Sequence, residues 1–268
     1  MLETLPEQAR KYWGEFKSSW WRELKVAAAF LTRLPVPLGD GDGALPLSRA
    51  VRAFPVVGLG VGALAGVALY LGFLLNLHPL ASALAGLAVA AAVTGALHED
   101  GLADVADGFG GGATKEDKLA VMRDSRIGSY GVLALIFSIG LKAAALASFI
   151  GPGTAALALI GAAAASRAAL PLAMHFLPPA RQDGLSHGAG QPDRGHALTA
   201  AAVGLAIAWM LFGLTPGLAA LLAGSAAVVF VGWLALRQIG GQTGDVLGAQ
   251  QQAFETAALL AAAAVPVW

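Results

Sequence analysis

Three aspartates at helical spacing follow directly after a long apolar run. Asp100, Asp104 and Asp107 stand at i, i+4 and i+7, so a helix would present them on one face. Neighbouring carboxylates repel each other, and a hard cation such as Mg²⁺ relieves that repulsion, usually together with substrate phosphate. Glycines at 108 and 110–112 would end the helix and let a ligand approach its backbone. The pattern predicts a catalytic Mg²⁺ site; a solvated, acidic helix end is the alternative.

A second polar group follows downstream. Asp124 could add a fourth carboxylate to the catalytic and metal-binding set, and Arg123 and Arg126 offer forked donors suited to phosphate. Near the C-terminus a glycine-rich turn supplies Gln242 and Asp245, and backbone N–H groups in such turns can hold anions. Carboxylates, arginines and glycine turns together are typical of Mg²⁺-dependent transfer of a phosphate-containing group.

Several other classes of protein are excluded by the sequence. It has no Walker A pattern, which argues against a nucleotide-hydrolysing motor. His98 and Glu99 do not belong to an HExxH motif, which argues against a zinc protease, and we expect His98 to orient a carboxylate or to pack at the helix end. The absence of cysteine rules out disulfides and thiolate metal sites. A formal net charge of zero gives no indication of a nucleic-acid partner.

The elements that must position these residues are membrane helices. Of the 268 residues 57% are hydrophobic and 13% are charged, whereas soluble domains carry about 25% charged residues. The fold class expected is therefore all-α, a polytopic membrane bundle with one catalytic domain over residues 26–268. Apolar runs long enough to span, or nearly so, predict seven transmembrane helices, at about 55–77, 79–97, 131–150, 154–177, 198–214, 216–236 and 253–268.

Residues 1–25 are polar with interleaved aromatics. Trp13, Phe16, Trp20 and Leu24 fall at helical spacing among charged residues. This pattern predicts an amphipathic helix in the membrane interface, where tryptophan is enriched. A helix docked on the rest of the protein is the alternative.

Charge is distributed unevenly among the connections. The segments near 76–80, 150–154 and 214–216 carry no Lys, Arg, Asp or Glu, and nearly all charge lies in 32–54, 98–130, 178–197 and 237–252. The positive-inside rule then places the charged side and the N-terminus in the cytoplasm, with the C-terminus outside.

Two cations and a glycine stripe lie within the apolar runs. Lys142 and Arg167 stand near the middle of theirs, where each could pair with a carboxylate or hold a substrate anion; snorkelling is the alternative for Lys142. Gly58, Gly62 and Gly66 form a small-xxx-small stripe that predicts close helix packing. The Asp- and Gly-rich segment 39–43 is interpreted as a flexible turn.

Together the motifs resemble those of the cobalamin synthase family, the adenosylcobinamide-GDP ribazoletransferases. The resemblance covers nearly the whole chain, through segments 30–37, 54–58, 98–112, 122–131, 166–167 and 240–249. Two residues depart from the family pattern. Glu99 stands where an apolar residue is usual, and Gln252 stands where an acid is common.

The resemblance implies a reaction late in vitamin B12 biosynthesis. α-Ribazole or its 5′-phosphate would attack the cobinamide-side phosphate of adenosylcobinamide-GDP, and GMP would leave. The Mg²⁺ predicted from the aspartate face would be the cofactor, held by Asp100, Asp104, Asp107 and Asp124. The resemblance implies a location in a bacterial inner membrane. The substrate-binding residues would be Arg33, His98, Arg123, Arg126, Arg167, Gln242 and Asp245.

Two other functions remain as alternatives. A secondary transporter would explain Lys142 and Arg167 within spans, but its site would lie near the midplane. A CDP-alcohol phosphotransferase shares the start of its signature with residues 104–108, although no Ala-Arg pair follows at the expected place. The sequence leaves a homo-oligomer open.

Overall fold

The computed structural model describes residues 7–39, 41–181 and 188–265, with the side chains of residues 7–18 left out. Within these ranges the chain is helical and forms no β-strand beyond an isolated bridge. The all-α class is thereby confirmed. The α-helices are α1 (Glu7–Leu31), α2 (Leu47–Ala50), α3 (Phe54–Leu74), α4 (Pro79–Thr94), α5 (Leu97–Gly111), α6 (Lys115–Val121), α7 (Ser129–Ser148), α8 (Pro152–Phe176), α9 (Arg194–Phe212), α10 (Leu214–Ile239) and α11 (Gly244–Ala264).

The membrane character of the bundle is confirmed, but the predicted count of seven spans is not. Five described segments are long and apolar enough to cross a membrane: Leu47–Leu74, Ser129–Ser148, Pro152–Phe176, Arg194–Phe212 and Leu214–Ile239. The pair α4 and α5 would add a sixth if it were one bent span.

A sharp bend separates α4 from α5. The predicted apolar run to residue 97 ends early, at Thr94, and the two helix axes meet at 92°. Gly95 and Ala96 both have positive φ, 65° and 57°, a conformation that alanine adopts rarely. The bend divides an apolar helix from an acidic one, and α5 alone is not among the spanning segments.

The last helix begins nine residues before the predicted apolar run. Thr243 caps α11 by accepting a hydrogen bond from the Val246 N–H at 3.2 Å. Near its other end Ala262 belongs to an apolar cluster that contacts Phe149 and Phe212, which border two uncharged connections. Polar residues in its first half, including three consecutive glutamines, hid this part of α11 from the hydropathy pattern.

The glycine stripe of α3 packs against α8, as predicted. A Cβ added at Gly58 would collide with the backbone of Ala163, and one at Gly62 with the backbone of Ile160. The two helices therefore approach in backbone contact. Helix α8 also packs against α9 and α11, and it is the most buried of the five spanning segments.

Helix α1 continues past residue 25 to Leu31. Its last turns pack into the bundle, where Ala27 and Leu31 are fully buried beside Phe54. Earlier in α1, the ring centroid of Trp20 lies 4.6 Å from the Arg52 guanidinium carbon. The side chains of Trp13 and Phe16 lie outside the described residues, and an interfacial position for α1 stays a prediction.

The turn after α1 is anchored, so its interpretation as flexible is wrong at Asp42. This side chain is 3% exposed. It forms an ion pair with Lys25, and its oxygens accept hydrogen bonds from Arg22 Nε at 3.1 Å and the Gly39 N–H at 2.8 Å. Residue 40 lies outside the described residues.

Candidate active site

The acidic helix α5 packs against the first turns of α11. A Cβ added at Gly101 would collide with the backbone of Asp245, and one at Gly248 would press on the backbone of His98. Two glycines therefore let the helices lie in backbone contact. The contact brings Asp245 next to the aspartate face of α5, as the sequence predicted for these two segments.

Four carboxylates converge at this crossing, which we call the acid cluster. Asp104 is half-buried, and the negative charges that act on it are those of Asp100, Asp245 and Asp107. Repulsion between carboxylates is stronger in a partly buried site than in water. A bound cation would relieve it.

Arg181 stands beside the acid cluster and was missed by the sequence analysis. Its Nη2 lies 3.8 Å from Oδ2 of Asp245, and the same oxygen accepts a hydrogen bond from Thr243 Oγ1 at 3.1 Å. The sequence offered one weak signal, a basic residue within a charged connection. Nothing in its spacing linked it to Asp245.

Gln242 positions the segment that carries Arg181. The Gln242 N–H donates to the Pro178 carbonyl at 2.8 Å, and the Ala180 N–H donates to the Gln242 carbonyl at 2.9 Å. Gln242 itself is 4% exposed. Its observed contribution is this backbone pairing, which sets Arg181 against α11.

Asp107 is engaged at the N-terminus of α7. Its two oxygens accept hydrogen bonds from the N–H groups of Gly128 at 2.7 Å and Gly131 at 2.9 Å. A carboxylate satisfies unpaired N–H groups at a helix start and complements the helix dipole. Asp107 therefore joins α5 to α7, and the structure gives it this role in addition to the predicted one.

Asp124 and Arg126 form an ion pair of their own on the loop after α6. Arg126 Nη2 lies 2.6 Å from Asp124 Oδ2, with the arginine side chain 87% exposed. Hydrogen bonds from Arg126 hold the pKa of Asp124 at about 2. The carboxylates that act on Asp104 are Asp100, Asp107 and Asp245, and a place for Asp124 in the metal site stays a prediction.

The other arginines predicted to bind phosphate are dispersed. Arg123 is exposed on the same loop as Arg126. Arg33 is exposed beside the bend, where its side chain covers Gly95. Arg167 is 3% exposed inside the bundle. The structure does not bring these side chains together in one site.

Eight side chains form an interior polar network between α5, α7, α8 and α11. Its members are Glu99, Ser138, Lys142, Ser166, Arg167, Gln251, Gln252 and Glu255. Lys142 Nζ donates to Gln252 Oε1 at 2.6 Å and lies 3.5 Å from Glu255 Oε2. Since Lys142 is 2% exposed, pairing with a carboxylate is confirmed and snorkelling is wrong.

The network balances its own charge. Arg167 Nη1 donates to the Ala163 carbonyl at 2.9 Å, and the carboxylates that act on it are Glu255 and Glu99. Two acids therefore face two bases, Arg167 and Lys142. Gln251 donates to Glu255 Oε2 at 3.1 Å and to Ser166 Oγ at 2.9 Å.

Mg²⁺ fits the acid cluster in its chemistry, although no closed cage exists. Across the described ranges, no three His, Asp or Glu side chains already stand where they could hold a metal ion together. Mg²⁺ commonly keeps several waters and takes one or two carboxylates plus substrate phosphates. The oxygen donors of the cluster suit a site that the substrate completes.

A mainly apolar cavity of about 130 Å³ adjoins the acid cluster. Asp100, Asp245 and His98 are among its lining residues. The apolar wall consists chiefly of Phe30, Leu31, Leu47, Phe54, Leu97, Leu170, Met174 and Leu247. The sequence analysis did not find it, because its wall combines one or two residues from each of six helices.

Comparison with known proteins gives consistent matches. A family model described as cobalamin-5-phosphate synthase matches residues 23–263. A Bradyrhizobium diazoefficiens protein named adenosylcobinamide-GDP ribazoletransferase is 50% identical over 247 residues, which cover 90% of this chain and 93% of the relative.

Two further relatives carry the same name. The one from Azorhizobium caulinodans is 46% identical, covering 89% of this chain and 94% of its own. The one from Brucella anthropi is 45% identical, covering 86% and 92%. No solved structure matches the chain significantly.

Proposed function

The chain belongs to the cobalamin-5-phosphate synthase family, and on that premise we propose that it is an adenosylcobinamide-GDP ribazoletransferase. A ribose hydroxyl oxygen of α-ribazole, or of its 5′-phosphate, bonds to the cobinamide-side phosphorus of the donor. The bond from that phosphorus to the bridging oxygen breaks, GMP leaves with the electron pair, and the hydroxyl proton is released.

The observation that carries the proposal is the convergence of Asp100, Asp104 and Asp245 with Arg181 at one helix crossing. One or two of these carboxylates would hold Mg²⁺ together with the donor's phosphates, and the ion would neutralise charge on the diphosphate. Arg181 orients Asp245 and offers a fork-shaped guanidinium to a phosphate oxygen.

The neighbouring cavity serves the same chemistry by limiting water. An activated phosphate can be attacked by water as well as by the acceptor, so a site that excludes water favours transfer over hydrolysis. The buried wall beside Asp100 and Asp245 provides such a surface.

The proposed location is the cytoplasmic face of a bacterial inner membrane. Contacts join the charged connections to one another, as between Arg181 and Asp245 and between the Gly190 region and Ser48. The uncharged connections border the other end of α11. A cytoplasmic site would meet nucleotide-activated donor where it is made, and α1 would help to collect an amphipathic corrinoid at the lipid surface.

Release of GMP tests this function. Purified protein in detergent, given Mg²⁺, adenosylcobinamide-GDP and α-ribazole, should release GMP and form the joined product in equal amounts. Omitting α-ribazole should stop GMP release. No GMP with both substrates present would contradict the proposal, and CMP release from a CDP-linked donor with a lipid acceptor would favour the phosphotransferase alternative.

A further inference from the structure

We propose that the apolar cavity beside Asp100 and Asp245 binds the aromatic base of α-ribazole, with His98 as its single polar anchor. This inference rests on the proposed function. It identifies where the acceptor binds and how the site distinguishes the acceptor from other nucleosides. The carboxylates alone explain neither.

The size of the cavity fits one aromatic ring. Its volume is about 130 Å³, and an apolar protein cavity of about 150 Å³ takes up benzene, a single six-membered ring. The benzene ring of the fused base therefore fills the cavity, while the rest of the base and its ribose lie toward the opening beside the acid cluster. A corrin ring is far too large for this space.

The chemistry of the wall selects among the bases that the two substrates carry. Leu170 and Met174 are 3% and 2% exposed, and the Phe30 and Phe54 rings stack with centroids 6.3 Å apart. Guanine, from the donor, has polar groups around both rings, and an apolar wall would leave them without partners. The base of α-ribazole, dimethylbenzimidazole, presents two methyl groups and one free ring nitrogen.

His98 supplies the matching polar atom. It is 3% exposed and lines the cavity. Within the part of the chain that the structure describes, its Nδ1 has no hydrogen-bond partner. With the proton on Nδ1, the imidazole donates to the free nitrogen of the base. An otherwise unpaired buried group thereby gains a partner when the acceptor binds.

The position of the cavity sets the position of the attacking group. With the base among the apolar side chains, the ribose emerges beside Asp100 and Asp245. The reacting hydroxyl then stands at the acid cluster, where the donor's phosphates are bound in the proposed reaction. The cavity thus positions the acceptor through a part that does not react.

Changing the volume of the cavity is the first test. Met174→Phe should raise the KM for α-ribazole about tenfold or more, as expected for one extra group in a filled apolar pocket, while the KM for adenosylcobinamide-GDP changes little. Met210→Phe is the matched control, because Met210 is 78% exposed on α9. If Met174→Phe does not fold, Met174→Ala should favour an acceptor whose base carries ethyl instead of methyl groups.

Removing the anchor is the second test. The acceptor analogue has an indole-type base, in which C–H replaces the free ring nitrogen. Wild type should bind it about tenfold more weakly than α-ribazole in calorimetric titrations without donor. His98→Leu should bind both nucleosides equally. A purely structural role for His98 would weaken both to the same degree and would leave the preference intact.

The outcomes separate the cavity from the reaction. GMP release by wild type, with an α-ribazole KM that Met174→Phe leaves unchanged or raises only in step with that of the donor, would overturn the cavity and leave the function standing. Binding of α-ribazole that depends on Met174 and His98, without any GMP release, would support the cavity and overturn the transfer. Neither binding nor release would overturn both.

Discussion

The side-chain amide of Gln252 donates a hydrogen bond to Glu99 Oε1 at 3.0 Å. These are the two residues that the sequence analysis noted as departures from the family it resembles, an acid on α5 and an amide on α11. Their contact holds the Glu99 carboxylate within the interior polar network. Glu99 thereby serves as a counter-charge to Lys142 and Arg167.

We expect Glu99→Gln to destabilise the bundle, because it leaves two buried cations with only Glu255. The melting temperature in detergent should fall by roughly 5 °C or more. Adding Gln252→Glu returns a carboxylate to the same contact and should recover at least half of the loss. Glu116→Gln, at an exposed site on α6, is the matched control. An equal fall in the melting temperature of that variant would contradict the counter-charge role of Glu99.

The acid cluster predicts which aspartates turnover needs. Asp104→Asn and Asp245→Asn should each reduce GMP release about a hundredfold or more, because each removes a candidate oxygen ligand. Asp124→Asn should be much milder, since Arg126 already occupies that carboxylate. Chelation of Mg²⁺ by EDTA should stop wild-type turnover reversibly.

Asp193→Asn is the control for this series, because Asp193 caps α9 and is not a member of the acid cluster. Asparagine keeps the cap and loses only the ion pair with His196. Turnover near wild type in Asp104→Asn would remove the metal site from α5. If Asp124→Asn loses as much turnover as Asp104→Asn, Asp124 belongs to the metal site.

Asp107 should behave differently from its neighbours on α5. Asn in its place keeps one acceptor oxygen but turns an amide donor toward the N–H groups of Gly128 and Gly131. Asp107→Asn should therefore lower the melting temperature by a few degrees, corresponding to about 1–2 kcal/mol, and added Mg²⁺ should not restore activity. An unchanged melting temperature with abolished turnover would instead mark Asp107 as a metal ligand.

Asp42 predicts a pH-dependent contribution to stability. The hydrogen bonds from Lys25, Gly39 and Arg22 lower its pKa from 3.8 to about 2. Because the pKa is lower in the folded state than in the unfolded state, the ionised carboxylate stabilises the fold at pH values above its usual pKa. This contribution is lost as pH falls from about 4 toward 2. Asp42→Asn should lower the melting temperature at pH 7, and this difference from wild type should shrink at pH 3. A difference independent of pH would contradict the ionic role.

The orientation of the bundle can be tested with reporters. One fused after Trp268 should be active outside the cytoplasm, because α11 leads from the charged side to the uncharged connections. One inserted near Thr114, between α5 and α6, should be active inside. Activity of both on one side would show that α11 does not cross the membrane, and reversed activities would place the acid cluster away from its nucleotide substrate.

The acidic helix was the most predictable part of the molecule. The aspartate spacing predicted that a helix forms here, and the glycines predicted that it ends near Gly111. The predicted topology placed Asp245 at the same membrane face as the aspartates. The bend at Ala96 was not predictable, because alanine carries no preference for positive φ. The contact of Asp107 with Gly128 and Gly131 depends on how α7 approaches α5, which periodicity within one helix does not contain.

Partnerships across the bundle were the least predictable. Lys142 and Arg167 were recognisable as buried cations, because charge is rare in apolar runs. Their partners on α11 were not, because the polar residues there look like a loop when only hydropathy is considered. For the same reason Arg181 was overlooked: its place beside Asp245 arises from two backbone hydrogen bonds between segments about sixty residues apart.

The interior polar network also sets an order for assembly during synthesis. Lys142 and Arg167 leave the ribosome well before Gln251, Gln252 and Glu255. Until α11 is made, Glu99 is therefore the one acidic member of the network available to the two cations. Unpaired charge within the lipid is costly, and α11 is the element that removes the imbalance. We expect a nascent chain to remain susceptible to quality-control proteases until this last helix inserts. Insertion of α11 would then be the step that completes folding of the bundle.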